Sequence, residues 1–283
     1  MFNKILSLYP NLIIYPVEKL DLEHYYFYKT NKKNDIFGIS KTITKNEYEL
    51  IKSSFVEKKV YSLDSKIQKI YDYLLEDQVN PFKKNMRILI YQINDQYVDT
   101  INDFLTELIS DIKIISLLHY QIAFYSTNKD IEFDQFFTTL SDDLGVSIFL
   151  HKGMIITPTT KGSEVLEYIH AFDNSKSFKH NIYSEMPELV FNLNEESFIN
   201  IVEILRNNLF KNIIEDDQLI NLISTFFDND LNVSQTAKQL YLHRNSLLNR
   251  LENIYAQTGF NIQKFSHASA VKLILTIEFR KNN

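Results

Sequence analysis

The sequence predicts an α+β multidomain chain: a small α/β N-terminal unit, a ferredoxin-like middle domain and an all-α C-terminal domain with a helix-turn-helix. Three observations lead there. Apolar patterning over residues 86–151 runs in the order β-α-β-β-α-β, that of a ferredoxin-like sandwich. From Glu195 onward only helical periodicity remains. Charge is also segregated. The 283 residues carry a net −6, yet Val233 to Asn283 holds seven basic residues against two acidic ones, +5, which leaves the first 232 residues at −11. A basic segment appended to an acidic body suits a polyanionic partner, although a solvated helical face produces the same count.

Composition removes several function classes. With 45% hydrophobic and 23% charged residues the chain has enough apolar surface for real cores. It has no cysteine, so disulfides, thiolate zinc sites and cysteine nucleophiles are out. The five glycines, at 38, 145, 153, 162 and 259, are too scattered for a dinucleotide fingerprint or a phosphate-cradling loop. No segment reaches the roughly 18 to 20 apolar residues that span a bilayer. Met1 to Tyr15 is interrupted by Pro10 and Asn11 and does not read as a signal peptide, so the expected compartment is the cytoplasm, with no membrane contact.

The N-terminal unit, residues 1–80, opens with a short apolar run, Leu12 to Tyr15, between two prolines. Tyr25 to Tyr28 and Ile36 to Ile39 read as strands joined by the polar stretch Thr30 to Asp35, a hairpin pattern. Aromatics packed on both faces of the first strand explain its composition better than a ligand pocket does. Thr44 followed by Glu47 is a capping box ahead of Tyr48, Ile51 and Phe55 at helical spacing. Leu63 to Leu75 is a second amphipathic helix, and Asp77 to Lys84, with Asn80-Pro81, is a linker.

In the middle domain, residues 83–185, strands are expected at Ile88 to Ile93, Ile112 to Leu117, Gln121 to Tyr125 and Val146 to Leu150. Helices are expected at Val98 to Ser110 and Phe133 to Leu144. A further helix covers Leu166 to Phe172, and Asp173 to His180 is a polar loop. Lys161-Gly162-Ser163 echoes part of a phosphate-binding motif without the upstream glycine and is read as a loop.

The C-terminal domain, residues 195–283, begins with a helix whose face carries Phe198, Val202, Leu205 and Leu209. The next carries Leu219, Leu222, Ile223 and Phe226 and stops at Asp228-Asn229-Asp230. Asp216 and Asp217 suit the positive end of that helix. Asn232 or Ser234 then caps a short helix that ends near Leu240, with Ala237 in its middle for close crossing. Leu242 plugs the turn. His243 to Ser246 open a second helix that buries Leu247, Leu251 and Ile254 and offers Arg244, Ser246, Asn249 and Arg250 on the opposite face. Arg, Asn and Ser in the first turn of such a helix are the side chains that reach base edges and phosphates in a major groove. Two helices joined by a turn also serve protein contacts, and spacing alone leaves that open.

The stretch Asn232 to Leu251, with Ile254 and Thr258-Gly259, resembles the C-terminal domain of PucR-type bacterial transcriptional regulators. Asn232, Ser234, Thr236, Ala237, Leu240, Leu242, His243, Arg244, Asn245, Ser246, Leu247, Arg250, Leu251, Ile254, Thr258 and Gly259 fall in that family's pattern in one unbroken register. The core also resembles the DNA-binding helices of the Fis nucleoid protein. Two departures stand out: Asn249, where the family commonly has an aromatic, and Ser266-His267-Ala268 in the last helix. The resemblance implies a helix-turn-helix at 232–258 that binds double-stranded DNA through Ser234, Gln235, Thr236, His243, Arg244, Asn245, Ser246, Asn249 and Arg250. The middle domain resembles, in element order only, the degenerate cyclase-like domain of sugar-diacid-type regulators. Its turn at Leu118-His119-Tyr120 lacks the glycines and carboxylates of a nucleotide cyclase, so packing and dimerisation are its expected roles.

The seven histidines form no metal-ligand spacing, and no catalytic residue, metal site or cofactor is expected. His243 reads as a helix cap or a residue near phosphate. The expectation is a homodimeric, sequence-specific DNA-binding regulator, with a small-molecule effector as a further partner for its N-terminal regions. Its rivals are a helix-turn-helix adaptor working through protein contacts and, far behind, an enzyme in residues 1–185 whose nucleophile and cofactor loop the sequence does not supply.

Overall fold

The computed structural model describes residues 9, 12–15, 22–30, 36–62, 64–126, 133–175 and 183–281. Most of the expected hairpin connection, residues 31–35, together with Leu63, Pro10 with Asn11, and the polar stretch from 176 through His180, lies outside the described residues. The chain is mixed α+β, with two sheets and an all-helical C-terminal region. It divides into two compact units, Met1–Pro81 and Phe82–Asn283.

In the first unit, β1 (Ile13–Tyr15), β2 (Tyr25–Lys29), β3 (Ile36–Ser40) and β4 (Val56–Glu57) form an antiparallel sheet in the order β1-β3-β2-β4. The aromatic run of β2 is core in its second half: Phe27 and Tyr28 are buried, and Tyr28 meets Phe37 across the strand pair. Helix α1 (Lys45–Ser54) starts where the capping box places it. The Thr44 hydroxyl accepts from the Glu47 N–H, and the Glu47 carboxylate accepts from the Thr44 N–H at 2.8 Å. Helix α2 (Ser65–Glu76) starts on Asp64, which accepts from Lys66 N–H. Lys58 is buried against Asp72, at 2.6 Å, and Glu76. Burial alone pulls its ammonium value down, but the two carboxylates hold it above its ordinary value.

The second unit is built on β5 (Met86–Gln92), β6 (Lys113–Leu117), β7 (Tyr120–Ser126), β8 (Phe149–Ile156) and β9 (Tyr183–Glu185), in the order β6-β7-β5-β8-β9. The first four strands are antiparallel in ferredoxin-like order, and β9 joins β8 in parallel. Helices α3 (Val98–Leu108) and α4 (Phe133–Leu144) cover one face, where Leu89, Tyr91, Ile101, Leu105, Ala123, Phe137 and Leu150 form the core. Helix α5 (Gly162–Asn174) covers the other face through Tyr168, Ile169 and Phe172.

Three sequence expectations change here. The last sandwich strand starts at Phe149 rather than Val146 and runs on to Ile156. Gly145, at φ +63, and the Ser141 hydroxyl on the Val146 carbonyl delay its start. His151-Lys152 breaks the apolar run and hides its continuation. His151 is fully buried because both ring nitrogens are bonded, Nδ1 to Ser184 Oγ at 2.9 Å and Nε2 to Tyr168 Oη at 2.7 Å. Burial pushes its value down to about 3, against the charge of Glu185, so the ring is a neutral staple between β8, β9 and α5. Lys161-Gly162-Ser163 is no loop: the Glu164 carboxylate accepts from the Lys161 N–H and starts α5 there. The sequence reading also passed over β9 and α6 (Met186–Asn192), whose Pro187 reads as a break but is allowed in a first helical turn.

Helix α7 (Glu195–Leu205) continues through a π-helical turn, Arg206–Phe210, into α8 (Lys211–Ile214). Leu209 and Phe210 are both buried there. Helix α9 (Asp217–Asp228) is capped by Asp216, which accepts from Gln218 and Leu219 N–H groups. Then follow α10 (Val233–Gln239), α11 (Arg244–Thr258) and α12 (Phe265–Lys281). Among the described residues, no helix is long and apolar enough to cross a membrane.

Candidate nucleic-acid interface

Each end of α10 and α11 has a local cause. Asn232 Oδ1 accepts from Gln235 N–H at 3.0 Å and starts α10. Ala237 and Thr236 are the buried residues of α10, which packs against α11. The Leu242 N–H donates to the Ala237 carbonyl at 2.8 Å and closes the turn. His243 caps α11: Nδ1 accepts from Asn245 N–H at 3.3 Å, which leaves the ring proton on Nε2. Leu247, Leu251, Ile254 and Thr258 form the buried face of α11. Asn229 ties α9 to α10, its Nδ2 donating to the Thr225 carbonyl and to Gln239 Oε1 at 2.8 Å.

The far end of α11 is anchored. Gly259 sits at φ +80 and donates to the Tyr255 carbonyl at 2.7 Å. A Cβ there would fall 2.9 Å from Nη2 of Arg87, so the Arg87 guanidinium lies against the carboxyl end of the helix. Its charge opposes the partial negative charge of that end. Lys152 Nζ reaches Tyr255 Oη at 3.5 Å. At the start of α12, His267 Nδ1 accepts from Asn261 N–H at 3.0 Å, and Nε2 lies 2.8 Å from Glu185. Burial alone pushes the Glu185 carboxyl up, but hydrogen bonds from His267 and Tyr183 and the neighbouring positive charge hold it at about 2. His267 thus ties the start of α12 to the end of β9.

Of the residues expected at a DNA surface, Ser234, Gln235, His243, Arg244, Asn245, Ser246 and Asn249 are exposed. Arg250 is half-buried. Thr236 is a correction: it is fully buried and has no surface to give a ligand. Its place in the motif is a packing one. Sequence reasoning overlooked Tyr241, which stands 96% exposed in the turn between the helices. No periodicity argument selects a turn residue.

Residues 219–277 match the family described as the PucR C-terminal helix-turn-helix domain. That segment, α9 to α12, is what this chain shares with PucR-type regulators. The chain is also similar to the purine catabolism regulatory protein of Bacillus subtilis (strain 168), 26% identical over 119 residues. That alignment takes in 42% of this chain and only 22% of the Bacillus protein. Among solved structures, a regulator of polyketide synthase expression from Bifidobacterium adolescentis aligns over 79% of this chain and 96% of its own, at 12% identity and a TM-score of 0.40.

Proposed function

We propose that the chain is a sequence-specific DNA-binding transcriptional regulator. The observation that carries the reading is the PucR-type domain with its apolar face seated and the first turn of α11 exposed: His243, Arg244, Asn245 and Ser246, with Asn249 one turn on. A helix amino terminus presents free N–H groups and a positive dipole end to phosphate, and Arg, Asn and Ser there reach base edges. One such helix reads few base pairs, so two copies on paired half-sites are expected, held by residues 1–212. In this reading residues 1–80 sense a signal, such as a small-molecule effector, and residues 83–185 serve as a packing and dimerisation scaffold. The test is selection of duplexes from a randomised pool by the purified full chain, followed by footprinting. Recovery of a recurrent, repeated half-site supports the reading. A chain that enriches no sequence and protects no fragment refutes it and favours an adaptor.

A further inference from the structure

We propose that Tyr241 is a DNA-backbone contact, its phenolic hydroxyl donating to a phosphate oxygen beside the groove that α11 enters; this rests on the DNA-binding reading. Tyr241 has a backbone that does not suit it and a side chain that does nothing for the fold. Its φ of +54 lies in the left-handed region that favours glycine or asparagine. At 96% exposure it is the most exposed large apolar side chain among the described residues, and its hydroxyl has no partner among them. The turn is closed without it, by the Leu242 N–H on the Ala237 carbonyl and by the half-buried Leu242 side chain. A glycine would serve the backbone better, so the ring is kept for something outside the domain.

Its surroundings indicate what that is. Lys238, His243 and Arg244, all exposed, flank it in sequence. The first helical turn, at Arg244, is placed to reach base edges. The first helix of such a pair crosses the sugar-phosphate backbone, Tyr241 follows the end of that helix at Gln239 by two residues, and a tyrosine hydroxyl is a common donor to phosphate.

The test uses the full chain, a duplex that wild type selects from a randomised pool, and a scrambled duplex of equal length, titrated at several salt concentrations. Tyr241→Phe and Tyr241→Gly are each expected to bind both duplexes about tenfold more weakly, the order expected for one hydrogen bond to a charged group. The salt slope should not change, because tyrosine neutralises no phosphate. Tyr241→Gly should melt no lower than wild type. Three results overturn the assignment: Tyr241→Phe binding like wild type, a loss confined to the selected duplex, or a Tyr241→Gly melting point that falls together with affinity. Wild type that binds neither duplex defeats the DNA reading itself, and Tyr241 with it.

Discussion

Replacing Glu185 with glutamine tests whether the helix-turn-helix domain is bound to the sandwich through a charge. Glu185 lies at the end of β9, and His267 Nε2 and Tyr183 Oη reach its carboxylate at 2.8 and 2.7 Å. Because His267 Nδ1 already accepts from Asn261 N–H, the ring proton sits on Nε2 and donates to Glu185. The carboxyl is held at about 2 against an ordinary 4.5. At about 1.36 kcal/mol for each tenfold, that fall corresponds to roughly 3 kcal/mol of stability at neutral pH. Only 19% of the side chain is exposed, so solvent screening takes little from this figure. A depressed carboxylate contributes fully above its unfolded value and less as pH falls from 4.5 towards 2. By linkage about 1 kcal/mol should remain at pH 3. The assay is urea unfolding of wild type and Glu185→Gln between pH 7 and pH 3, followed by helix dichroism and by exchange of the Asn261 amide. The variant should be less stable by roughly 3 kcal/mol at pH 7, and the gap should shrink towards pH 3. A gap that stays constant with pH, or no gap at pH 7, refutes the charge-based account.

Three further outcomes follow from the same geometry. Arg244→Ala should cost about 1–3 kcal/mol on a selected duplex and relax sequence preference, whereas Arg250→Ala should weaken all duplexes alike and lower the salt slope by about one; titrations on selected and scrambled DNA separate the two. Leu251→Ala should destabilise the domain by about 2–5 kcal/mol in denaturant unfolding, since its side chain is 1% exposed between the helices. Gly259→Ala should cost at least about 1–2 kcal/mol from the positive φ alone, with added loss as the Cβ meets Arg87, and thermal unfolding of the full chain reads it.

The elements that were legible in the sequence are those whose cause is local. Phe133–Leu144 carries its apolar stripe within one helix, Thr44 and Glu47 cap each other across three residues, and Asn232 and His243 cap the two motif helices from within the motif. What stayed hidden is held by distant partners. His151 and Lys152 look polar and break a strand pattern, yet β8 buries both, because Ser184, Tyr168 and Tyr255 supply their bonds. The pairing of His267 with Glu185 joins segments that no spacing rule connects. Thr236 failed as an interface residue for a related reason: a hydroxyl in a DNA-binding motif reads as a contact, but on α10 this side chain is fully buried. Left-handed backbone at Leu231 and Tyr241 was equally illegible, since neither residue type favours it.

The contacts of α11 are divided between its two ends, and the division follows the helix dipole. The carboxyl end, partially negative, is matched by the Arg87 guanidinium over Gly259, and Tyr255 in its last turn is met by Lys152. The amino end, partially positive, is left to solvent with His243, Arg244, Asn245 and Ser246. Only that end is electrostatically suited to a polyanion, and it is the one the sandwich leaves open. The cationic side chains that hold the other end come from β5 and β8, two adjacent strands of the sheet. On the proposed reading, the direction in which the first turn of α11 points is therefore fixed by the sandwich as well as by the helix-turn-helix itself.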